Sequence, residues 1–322
     1  MAPPPPRRAV CLTGGAGFIG SHLADAFLDA GWRVAVIDDL STGRRQQVRP
    51  EAELLVADLR SPEASRLVAE GGFALLVHQA AQIDVRRSTA DPVFDASVNV
   101  IGSLALLEAA RRGGISRVVF ASTGGAIYGE QQRFPANEEH PTRPVSPYGV
   151  AKLAVEHYLY YYAVEHGMEA VALRYANVYG ERQNPHGEAG VVAIFLDRLL
   201  AGATALIHGD GLQTRDYVHV SDVVRANLAA ATVELPPGEP CRAYNVGTGR
   251  ETTVVELYQL LAAAVGDGRP ARHGPAKPGE QRRSAIDPTR ARQELGLGPP
   301  VPLAEGLSRT AAWFASRYNR PQ

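Results

Sequence analysis

A tyrosine and a lysine, Tyr148 and Lys152, stand four residues apart in a segment with a helical pattern. Residues at this spacing share one face of a helix, so the ammonium can sit beside the group that the phenol serves. This positive charge, helped by a second cation, can lower the pKa of a phenol from about 10 towards neutrality. The pair predicts a tyrosine acid/base with a lysine partner. A solvated lysine beside a core tyrosine is the alternative.

Two hydroxyl residues, Ser122 and Thr123, follow the apolar run from Val118 to Ala121, which has the length of a buried strand. A hydroxyl at the carboxyl end of a strand can donate a hydrogen bond to a substrate oxygen while the tyrosine moves its proton. Either hydroxyl fits this role. A simple Ser/Thr turn at the strand end is the alternative.

Three glycines, Gly14, Gly17 and Gly20, follow the first apolar run and open a helical pattern. A turn without Cβ atoms lets backbone N–H groups and the helix dipole meet a pyrophosphate. The glycine spacing alone is a weak signal, but its place between a strand and a helix predicts a dinucleotide site.

Two aspartates bear on which dinucleotide is bound. Asp38 comes 18 residues after Gly20, where a carboxylate accepts hydrogen bonds from a ribose 2′-OH and repels a 2′-phosphate. NAD is therefore favoured, although the Arg44–Arg45 pair keeps NADP open. Asp58, after the third apolar run, is predicted either to meet the adenine or to cap a helix.

Strand-length apolar runs alternate with helical patterns through the first half of the chain. Buried strands are predicted at Val10 to Thr13, Val34 to Ile37, Leu54 to Val56, Leu75 to His78 and Val118 to Ala121, and helices at about 18–30, 62–70, 92–112, 148–166, 189–201, 221–233, 252–265 and 303–317. Repeated βα units require right-handed crossovers, which predicts the α/β class with a doubly wound parallel sheet. A smaller, interleaved C-terminal region is expected to cap the carboxyl edge of that sheet, where such folds bind ligands.

The composition is that of an ordinary globular protein, with 45% apolar residues, 21% charged residues and a net charge of −1. This balance excludes disorder, collagen and coiled coil, and it disfavours nucleic acid and anionic membranes as partners. Cys11 and Cys241 cannot form a disulfide framework, and the nine histidines show no zinc spacing, so no metal is expected and a reducing cytoplasm fits.

Taken together, the residues resemble the extended short-chain dehydrogenase/reductase superfamily and, within it, the UDP-glucose 4-epimerase family. The resemblance runs from about Arg8 to Leu297. The segments that carry it are Thr13 to Gly20, Asp38 to Gly43, Ala57 to Leu59, Val77 to Ala81, Asn99, Ser122–Thr123, Tyr148 with Lys152, Leu173 to Gly180, Arg215 to Val220 and Pro278 to Glu280. The resemblance implies a Rossmann NAD-binding domain, residues 1–176 and about 214–246, and a nucleotide-sugar domain, about 177–213 and 247–322.

The resemblance also implies roles for individual residues, with Tyr148 as acid/base, Lys152 as its partner and a hydroxyl of Ser122 or Thr123 as the third catalytic group. The residues implied to hold NAD are Gly14, Gly17, Phe18, Ile19, Gly20, Asp38, Asp39, Leu40, Ser41, Thr42, Gly43, Asp58, Leu59, Gln79, Ala80, Ala81, Asn99, Tyr148, Lys152 and Tyr175. Those implied to hold a UDP-sugar are Thr123, Tyr148, Asn177, Val191, Arg215, Lys277, Glu280 and Ser284, with Arg215 pairing the diphosphate bidentately.

Three departures from the family pattern bear on specificity. Gly124–Gly125 lengthens the segment after Thr123 by one residue, which keeps the choice between the two hydroxyls open. Lys277 stands where relatives often have arginine, which weakens one expected phosphate contact. Ser284 stands where a bulky residue restricts the pocket of glucose-only relatives, so a roomier pocket for an N-acetyl sugar is conceivable.

The implied reaction is inversion of C4 of a UDP-hexose. Tyr148, ionised beside Lys152, takes the 4-OH proton while hydride passes to NAD, and the 4-keto sugar turns and receives the hydride on its other face. The alternatives are another nucleotide-sugar epimerase, such as a uronate 4-epimerase, a 4,6-dehydratase, or an NAD-binding sensor without activity. Gly124–Gly125 disfavours the dehydratase, because similar dehydratases carry Asp-Glu there. The presence of both Tyr148 and Lys152 disfavours the sensor.

Two helical stretches, 92–112 and 148–166, carry apolar stripes, and the second adds Tyr158, Tyr160, Tyr161 and Tyr162. Part of each stripe is expected to pack on the sheet. In relatives the two helices also build a four-helix dimer interface, so the resemblance implies a homodimer. No apolar run reaches the 18 residues that a membrane helix requires, which favours a soluble, cytoplasmic protein.

Overall fold

The computed structural model describes residues 8–186, 190–277 and 281–318. Its strands are β1 (Ala9–Thr13), β2 (Arg33–Asp38), β3 (Glu53–Val56), β4 (Leu75–His78), β5 (Arg117–Thr123), β6 (Glu169–Tyr175), β7 (Asn177–Tyr179), β8 (Leu206–His208), β9 (Thr214–Arg215), β10 (Tyr217–His219), β11 (Cys241–Val246), β12 (Thr252–Thr253) and β13 (Arg272–Gly274). The five strands predicted in the first half of the chain are all present, within two residues at each end.

Seven of these strands form one sheet in the order β11-β6-β5-β4-β1-β2-β3. β1 pairs in parallel with β2 and β4, and the pairs β2–β3 and β4–β5 are also parallel. The predicted doubly wound, Rossmann-type sheet is therefore confirmed. The strand order reverses between β1 and β4, and the carboxyl ends of two such strands are where this class of fold binds ligands. Thr13 and His78 are paired at that position.

β3 differs from its prediction as a buried strand. Glu53 and Val56 are exposed, and Leu54 and Leu55 are only partly buried. The reason is its position, because β3 is the edge strand of the sheet and has a neighbour on one side only.

The helices follow the predicted positions closely. They are α1 (Phe18–Asp29), α2 (Pro62–Glu70), α3 (Val85–Ala90), α4 (Pro92–Ala96), α5 (Ser103–Arg112), α6 (Pro147–His166), α7 (Val191–Leu200), α8 (Val220–Ala230), α9 (Val254–Val265), α10 (Thr289–Glu294) and α11 (Leu303–Tyr318). The predicted helix at 92–112 is interrupted, because a π-helical stretch, Ser97–Gly102, joins α4 to α5. π-Helical turns are rare and occur frequently at functional sites.

Local sequence signals explain the bounds of α6, the helix that carries Tyr148 and Lys152. The Ser146 hydroxyl accepts a hydrogen bond from Gly149 N, and Pro147 occupies the first helical position. Gly167 ends the helix with φ +66°, a left-handed conformation that favours glycine.

The chain divides into two compact units. The first comprises residues 1–123, 144–173 and 224–244, and the second comprises 124–143, 174–223 and 245–322. Residues 124–143 and 214–223, which the sequence assigned to the cofactor-binding domain, group with the second unit. Each unit has an apolar core. In the first unit, strand residues such as Cys11 and Ile37 pack with Leu106 of α5 and Val155 of α6.

In the second unit, α7, α9 and α11 supply the apolar core. Phe195, Leu261 and Phe314 are buried there, together with Tyr217 of β10. The aromatic rings of Phe195 and Tyr258 meet edge to face with centroids 5.4 Å apart. This core fixes the short strands that carry Asn177 and Arg215.

The run Pro92–Arg112 is long and apolar enough to cross a membrane by length and composition alone, with a mean hydropathy of 1.4. No such run was predicted from the sequence. About 44% of its apolar window is buried in the fold, where α5 packs against α2 and α6. Core helices of soluble proteins meet the same criterion.

Candidate active site

The turn between β1 and α1 leaves no room for side chains. Gly14 has φ +72°, and a Cβ atom on it would lie 2.8 Å from Ala80 N. A Cβ atom on Gly20 would overlap the carbonyl oxygen of Gly14. Gly17 is the N-cap of α1. It has no side chain that could accept from the first N–H groups of the helix, so these groups can donate to an anion.

Asp38 at the end of β2 is a buried carboxylate, 8% exposed. Its Oδ2 accepts from Ala16 N and its Oδ1 from Leu40 N, each over 2.9 Å. These bonds tie the glycine turn to the carboxyl end of β2. Burial raises the pKa of the Asp38 carboxyl, partly offset by the two backbone donors. A carboxylate has about four lone-pair sites, so both oxygens can still accept from a ribose.

The segment after Asp38, Asp39 to Gly43, forms a tight loop. Asp39 Oδ1 accepts from both N and Oγ of Ser41. A Cβ atom on Gly43 would lie 2.8 Å from Asp38 Oδ1, so the loop passes close to that carboxylate. Leu40 is partly buried, with φ +59°, and Thr42 is exposed.

Asp58 is paired with Arg60. Its Oδ1 accepts from Arg60 N and Nε, and its Oδ2 from the guanidinium over 2.6 Å. This partner holds the pKa of the Asp58 carboxyl below its usual range. The suggestion that Asp58 caps a helix is wrong, because Ser61 caps α2. Arg60 also donates to Ser97 Oγ and lies 5.7 Å from the ring centroid of Phe94, so it joins this loop to the segment that starts at α4.

A directional hydrogen-bond chain runs through His78. Ala80 N donates to Thr13 Oγ1, which donates to His78 Nδ1 over 2.7 Å. His78 Nε2 then donates to Ser103 Oγ over 2.9 Å, and Ser103 Oγ donates to Asn99 O. The order of donors assigns the neutral Nε2–H tautomer. Burial lowers the pKa of His78 to about 3, so the ring is uncharged at neutral pH.

Asn99, predicted to contact the cofactor, is 3% exposed in the π-helix. Its Nδ2 donates to Gln82 O and to Asp95 Oδ1, and its Oδ1 accepts from Gln82 N over 2.8 Å. Both amide protons are therefore engaged within the chain. Asn99 fixes the loop after β4, and a free lone pair on Oδ1 remains for a ligand.

The other predicted cofactor residues of the first unit lie at strand ends or at the start of α1. Phe18 and Ile19 begin α1 and are partly buried, and Ala81 lies in the loop after β4. Gln79 Nε2 donates to Asn227 Oδ1 over 3.3 Å. Leu59 is 8% exposed and lies so close to Gly102 that a Cβ atom there would overlap it.

Tyr148 and Lys152 lie in the first two turns of α6. Lys152 is 3% exposed, and its Nζ donates to Ala121 O over 2.8 Å. The same Nζ lies 4.6 Å from the ring centroid of Phe120 and 5.8 Å from that of Tyr148. The predicted pair is therefore adjacent, and the carboxyl end of β5 is its neighbour. Burial lowers the pKa of Lys152 to about 7, and Asp95 opposes this shift.

Contrary to the prediction from the sequence, the pKa of the Tyr148 phenol is not lowered by the Lys152 ammonium. Burial, with a smaller contribution from the Asp95 carboxylate, raises the pKa of Tyr148 well above its ordinary value. The ammonium of Lys152 is directed at a backbone carbonyl instead of the phenol. The residues of the chain therefore keep Tyr148 protonated, and ionisation requires additional positive charge.

The two candidate hydroxyls have different surroundings. Ser122 is 3% exposed and its Oγ donates to Glu156 Oε1 over 2.5 Å. Thr123 is partly buried, and its hydroxyl makes no hydrogen bond to any residue in the described ranges. Glu156 was not among the predicted site residues, yet its position four residues after Lys152 places it on the same helix face.

In the second unit, two predicted substrate residues, Asn177 in β7 and Arg215 in β9, are linked through Asp216. Asn177 N donates to Asp216 O over 2.9 Å, and β7 pairs in parallel with β10. Arg215, in β9, precedes Asp216, and its guanidinium donates to Thr214 O and Gln281 O.

Asp216 was not predicted from the sequence as a site residue. Its buried carboxylate accepts from Thr248 and Gly249, so it holds the segment after β11.

The remaining predicted substrate residues are dispersed within the second unit. Val191 begins α7. Tyr175, which was predicted to contact the cofactor and not the substrate, also belongs to this unit, where it ends β6 and is 6% exposed. Ser284 is 4% exposed, whereas Lys277 is exposed. Glu280 lies outside the described residues.

The first unit fits a dinucleotide. It supplies a glycine turn that a Cβ would fill, an open helix N-terminus and a buried carboxylate at the end of the second strand. Within the described ranges, no group of three or more His, Cys, Asp or Glu residues is arranged to hold a metal ion.

Comparison with known proteins agrees with this geometry. The sequence pattern described as the NAD dependent epimerase/dehydratase family matches residues 10–247. The chain is 46% identical over 311 residues to the UDP-glucose 4-epimerase of Mycolicibacterium smegmatis, covering 95% of this chain and 98% of the relative. The structure resembles that of Thermotoga maritima UDP-glucose 4-epimerase with UDP-glucose, with a TM-score of 0.92, 43% identity and coverage of 96% and 99%. It also resembles the Thermus thermophilus UDP-glucose 4-epimerase complex with NAD, with a TM-score of 0.88, 43% identity and coverage of 95% and 98%.

Proposed function

Because the chain belongs to the NAD-dependent epimerase/dehydratase family, we propose that it is an isomerase that inverts C4 of a UDP-hexose with NAD as its cofactor. The observation that carries this proposal is the adjacency of Tyr148, Lys152 and the carboxyl end of β5 within the unit that holds the glycine turn and Asp38. UDP-glucose 4-epimerases that resemble it over almost their whole length support the substrate class.

The glycine turn and Asp38 are the groups that would hold NAD. The N–H groups at the start of α1 would donate to the pyrophosphate, and Asp38 would accept from the adenosine ribose. The neighbouring Asp39 to Gly43 loop, Asp58 to Leu59, Gln79 to Ala81, Asn99 and Tyr175 complete the proposed cofactor site. When bound, NAD supplies the oxidant that removes hydride from C4 and later returns it.

Tyr148 moves the proton in this proposal. Its phenolate accepts the proton of the sugar 4-OH as C4 gives up a hydride, and these two losses together leave a 4-keto sugar. Its phenol returns a proton to the oxygen when C4 regains the hydride on the other face. Lys152 stabilises the phenolate by its charge. Since burial raises the pKa of Tyr148, the positive charge of the oxidised nicotinamide is needed in addition to Lys152.

We assign the nucleotide-sugar to residues of the second unit together with Thr123 and Tyr148. Arg215 pairs with the diphosphate, and Asn177, whose N–H donates to the carbonyl of Asp216, also contacts the nucleotide-sugar. Val191, Lys277, Glu280 and Ser284 complete the set. The small Ser284 leaves room for an N-acetyl group.

The reaction is tested by incubating the purified protein, without added cofactor, with UDP-galactose and separately with UDP-N-acetylgalactosamine. Proton NMR of the products is expected to show the gluco epimer of at least the first sugar. Formation of a 4-keto-6-deoxy sugar would assign the chain to the dehydratases of the same family. No conversion after NAD is supplied would overturn the proposed function.

A matched pair of variants distinguishes the roles of the Ser122 and Thr123 hydroxyls at the end of β5. We expect Thr123→Val to lower kcat by about 10- to 100-fold, because its free hydroxyl is the one available to a reacting sugar oxygen. Ser122→Ala is expected to act mainly on stability, by about 1 to 3 kcal/mol, since it removes a buried hydrogen bond to Glu156. Steady-state kinetics and thermal unfolding of both variants check this. A larger loss of kcat in Ser122→Ala would reverse the assignment.

A soluble, cytoplasmic homodimer is part of the proposal. The helical stretch from α4 to α5 exposes Ile101 and α6 exposes Tyr160, each by 60%, on helices that otherwise pack in the core. Cys11 and Cys241 are both free thiols, as a reducing compartment maintains them.

Light scattering should give twice the mass of one chain, and a monomer in the wild type would contradict the dimer. We expect Ile101→Glu with Tyr160→Glu to yield monomers, because four charges would be buried per dimer. Val145→Glu, at an apolar residue outside these helices that is even more exposed, is the control and should stay dimeric.

A further inference from the structure

Asp95 is a buried carboxylate in α4 that none of the roles assigned above uses. It is 1% exposed. Its Oδ1 accepts from Asn99 Nδ2 over 3.0 Å and from Gln82 Nε2 over 3.1 Å. Its Oδ2 is also buried, and no described residue donates a hydrogen bond to it. Burying a carboxylate is costly unless a positive charge compensates it, so the surroundings of Asp95 should contain a cation.

The candidate cation is Lys152 of α6. α4 and the π-helix both pack against α6, and the charge of Asp95 acts on Lys152 and Tyr148, which lie in the first turns of α6. Asp95 opposes the desolvation that lowers the pKa of Lys152, and it adds to the desolvation that raises the pKa of Tyr148. The buried negative charge of Asp95 therefore affects both Tyr148 and Lys152.

The elements around α6 carry other ionisable groups, and several of these have partners of their own. They include Arg86 and Arg87 in α3, Glu108, Arg111 and Arg112 in α5, Arg117 in β5 and His78 in β4, and α6 itself carries Glu156, His157, Glu165 and His166. Glu108 accepts from Tyr162, Arg117 pairs with Glu169, and Glu156 accepts from Ser122. His78 is neutral, and Arg87 lies over the ring of Phe94. Asp95 is the carboxylate of this set whose charge acts on Lys152.

We propose that Asp95 is a positioning residue of the acid/base pair, whose buried charge keeps Lys152 protonated and holds its ammonium beside Tyr148. This inference rests on the function proposed above for the pair. Asn99 and Gln82 are the residues that orient the carboxylate, so the amide of Asn99 serves the acid/base pair as well as the loop after β4.

The effect of removing the charge has a definite sign. A neutral side chain at position 95 no longer stabilises the ammonium, so the pKa of Lys152 falls further below its present value of about 7. It also no longer opposes ionisation of the phenol, so the pKa of Tyr148 falls too. Both the acidic and the basic limb of a bell-shaped profile of kcat against pH therefore move to lower pH. A merely structural role would lower the rate at every pH without moving the limbs.

The chain offers a direct way to observe Lys152, because it contains only two lysines. Protein labelled with ¹³C-lysine gives two side-chain resonances, and the Lys277→Arg background leaves that of Lys152 alone. This resonance is followed by NMR against pH in the background and in Asp95→Asn, which keeps the oxygen that accepts from Gln82 and Asn99. Asp91→Asn is the matched control, because Asp91 is an exposed carboxylate at the N-cap of the same helix.

We expect Asp95→Asn to lower the pKa of Lys152 by about one unit, and Asp91→Asn to leave it unchanged. Asp95→Glu, which keeps the charge, should restore it in part. If Asp95→Asn is not obtained folded, Asp95→Ser gives the same readout with a smaller neutral side chain. A Lys152 pKa that is the same in a folded neutral variant and in the background would overturn the proposal.

The kinetic arm separates this proposal from the proposed function. With UDP-galactose as substrate, both limbs of the kcat profile of Asp95→Asn are expected about one pH unit lower, with a reduced maximum. If the wild type converts no sugar nucleotide while the Lys152 titration still shifts, the function is wrong and the electrostatic pairing stands. If the enzyme is active but its limbs do not move, the role of Asp95 is wrong and the function stands.

Discussion

We expect Tyr148→Phe to lower kcat for UDP-galactose epimerisation by at least about 10²- to 10⁴-fold, which is the usual contribution of general acid/base catalysis. The change removes one oxygen atom. In the described part of the chain that oxygen makes no hydrogen bond, so the variant should fold and unfold like the wild type. Bound NAD should also be retained, because the glycine turn and Asp38 are untouched. The loss is therefore expected in kcat alone.

The measurement is steady-state kinetics with the NAD content determined on the same sample. Tyr160→Phe is the matched control, because it makes the same chemical change at an exposed position of α6. We expect that control to keep wild-type kcat. If Tyr148→Phe retained more than a tenth of the wild-type kcat with full NAD content, Tyr148 would not be the acid/base.

The same pair of proteins reports the ionisation of the phenol. Burial raises the pKa of Tyr148, so its phenolate is absent at neutral pH unless positive charge is added. The difference in ultraviolet absorbance between wild type and Tyr148→Phe is expected to show a lower phenol pKa with oxidised than with reduced cofactor. In the reacting enzyme, kcat should accordingly rise with pH through the phenol pKa. An equal pKa in both redox forms would contradict this account.

Most of the fold could be predicted from the sequence, because residues within or next to each βα unit mark where its strand and helix begin and end. β1 and α6 are examples. The apolar run that forms β1 is followed at once by glycines, and α6 is bounded by Ser146, Pro147 and Gly167, whose chemistry starts and stops a helix. Signals of this kind depend only on neighbouring residues, so a single chain suffices to interpret them.

What the sequence did not predict depends on contacts between distant segments. Asp95 looks like one more acidic residue of an amphipathic helix, and only the packing of α4 against α6 brings its charge to Lys152. Asp58 carries no sign that Arg60 pairs with it. The π-helical stretch lies within a run that has a normal helical pattern. Position 102 requires glycine because a Cβ atom there would overlap Leu59, which stands more than 40 residues earlier.

One residue that was not predicted, Glu156, could have been identified from its spacing in the sequence. Glu156 stands four residues after Lys152 and eight after Tyr148, and this spacing puts all three on one face of α6. A carboxylate on the face that meets the end of β5 is a natural partner for Ser122, and the structure shows that bond. The same reasoning would have favoured Thr123 as the hydroxyl that remains free for a substrate.

The second large effect is expected at Gly20, where alanine should abolish the retention of NAD. Alanine usually stabilises a helix relative to glycine by about 0.5 to 1 kcal/mol. At this position, however, the Cβ atom would overlap Gly14 O and lie 2.7 Å from Gly14 C. Both are backbone atoms, and Gly17 N already bonds to Gly14 O, so the turn cannot yield without breaking that bond. Overpacking of this kind costs about 1 to 3 kcal/mol, which outweighs the gain in helix propensity.

The clash falls on the turn that would receive the pyrophosphate, so binding should suffer more than folding. We expect Gly20→Ala to be purified almost free of NAD and to regain activity only at high added NAD, with a lower melting temperature. Gly298→Ala is the matched control, because a Cβ atom there meets nothing within 4 Å. NAD released by acid and quantified by chromatography, with thermal unfolding of both variants, decides the matter. Full NAD content in Gly20→Ala would mean that this turn is not where the dinucleotide binds, and the cofactor site would have to be sought elsewhere.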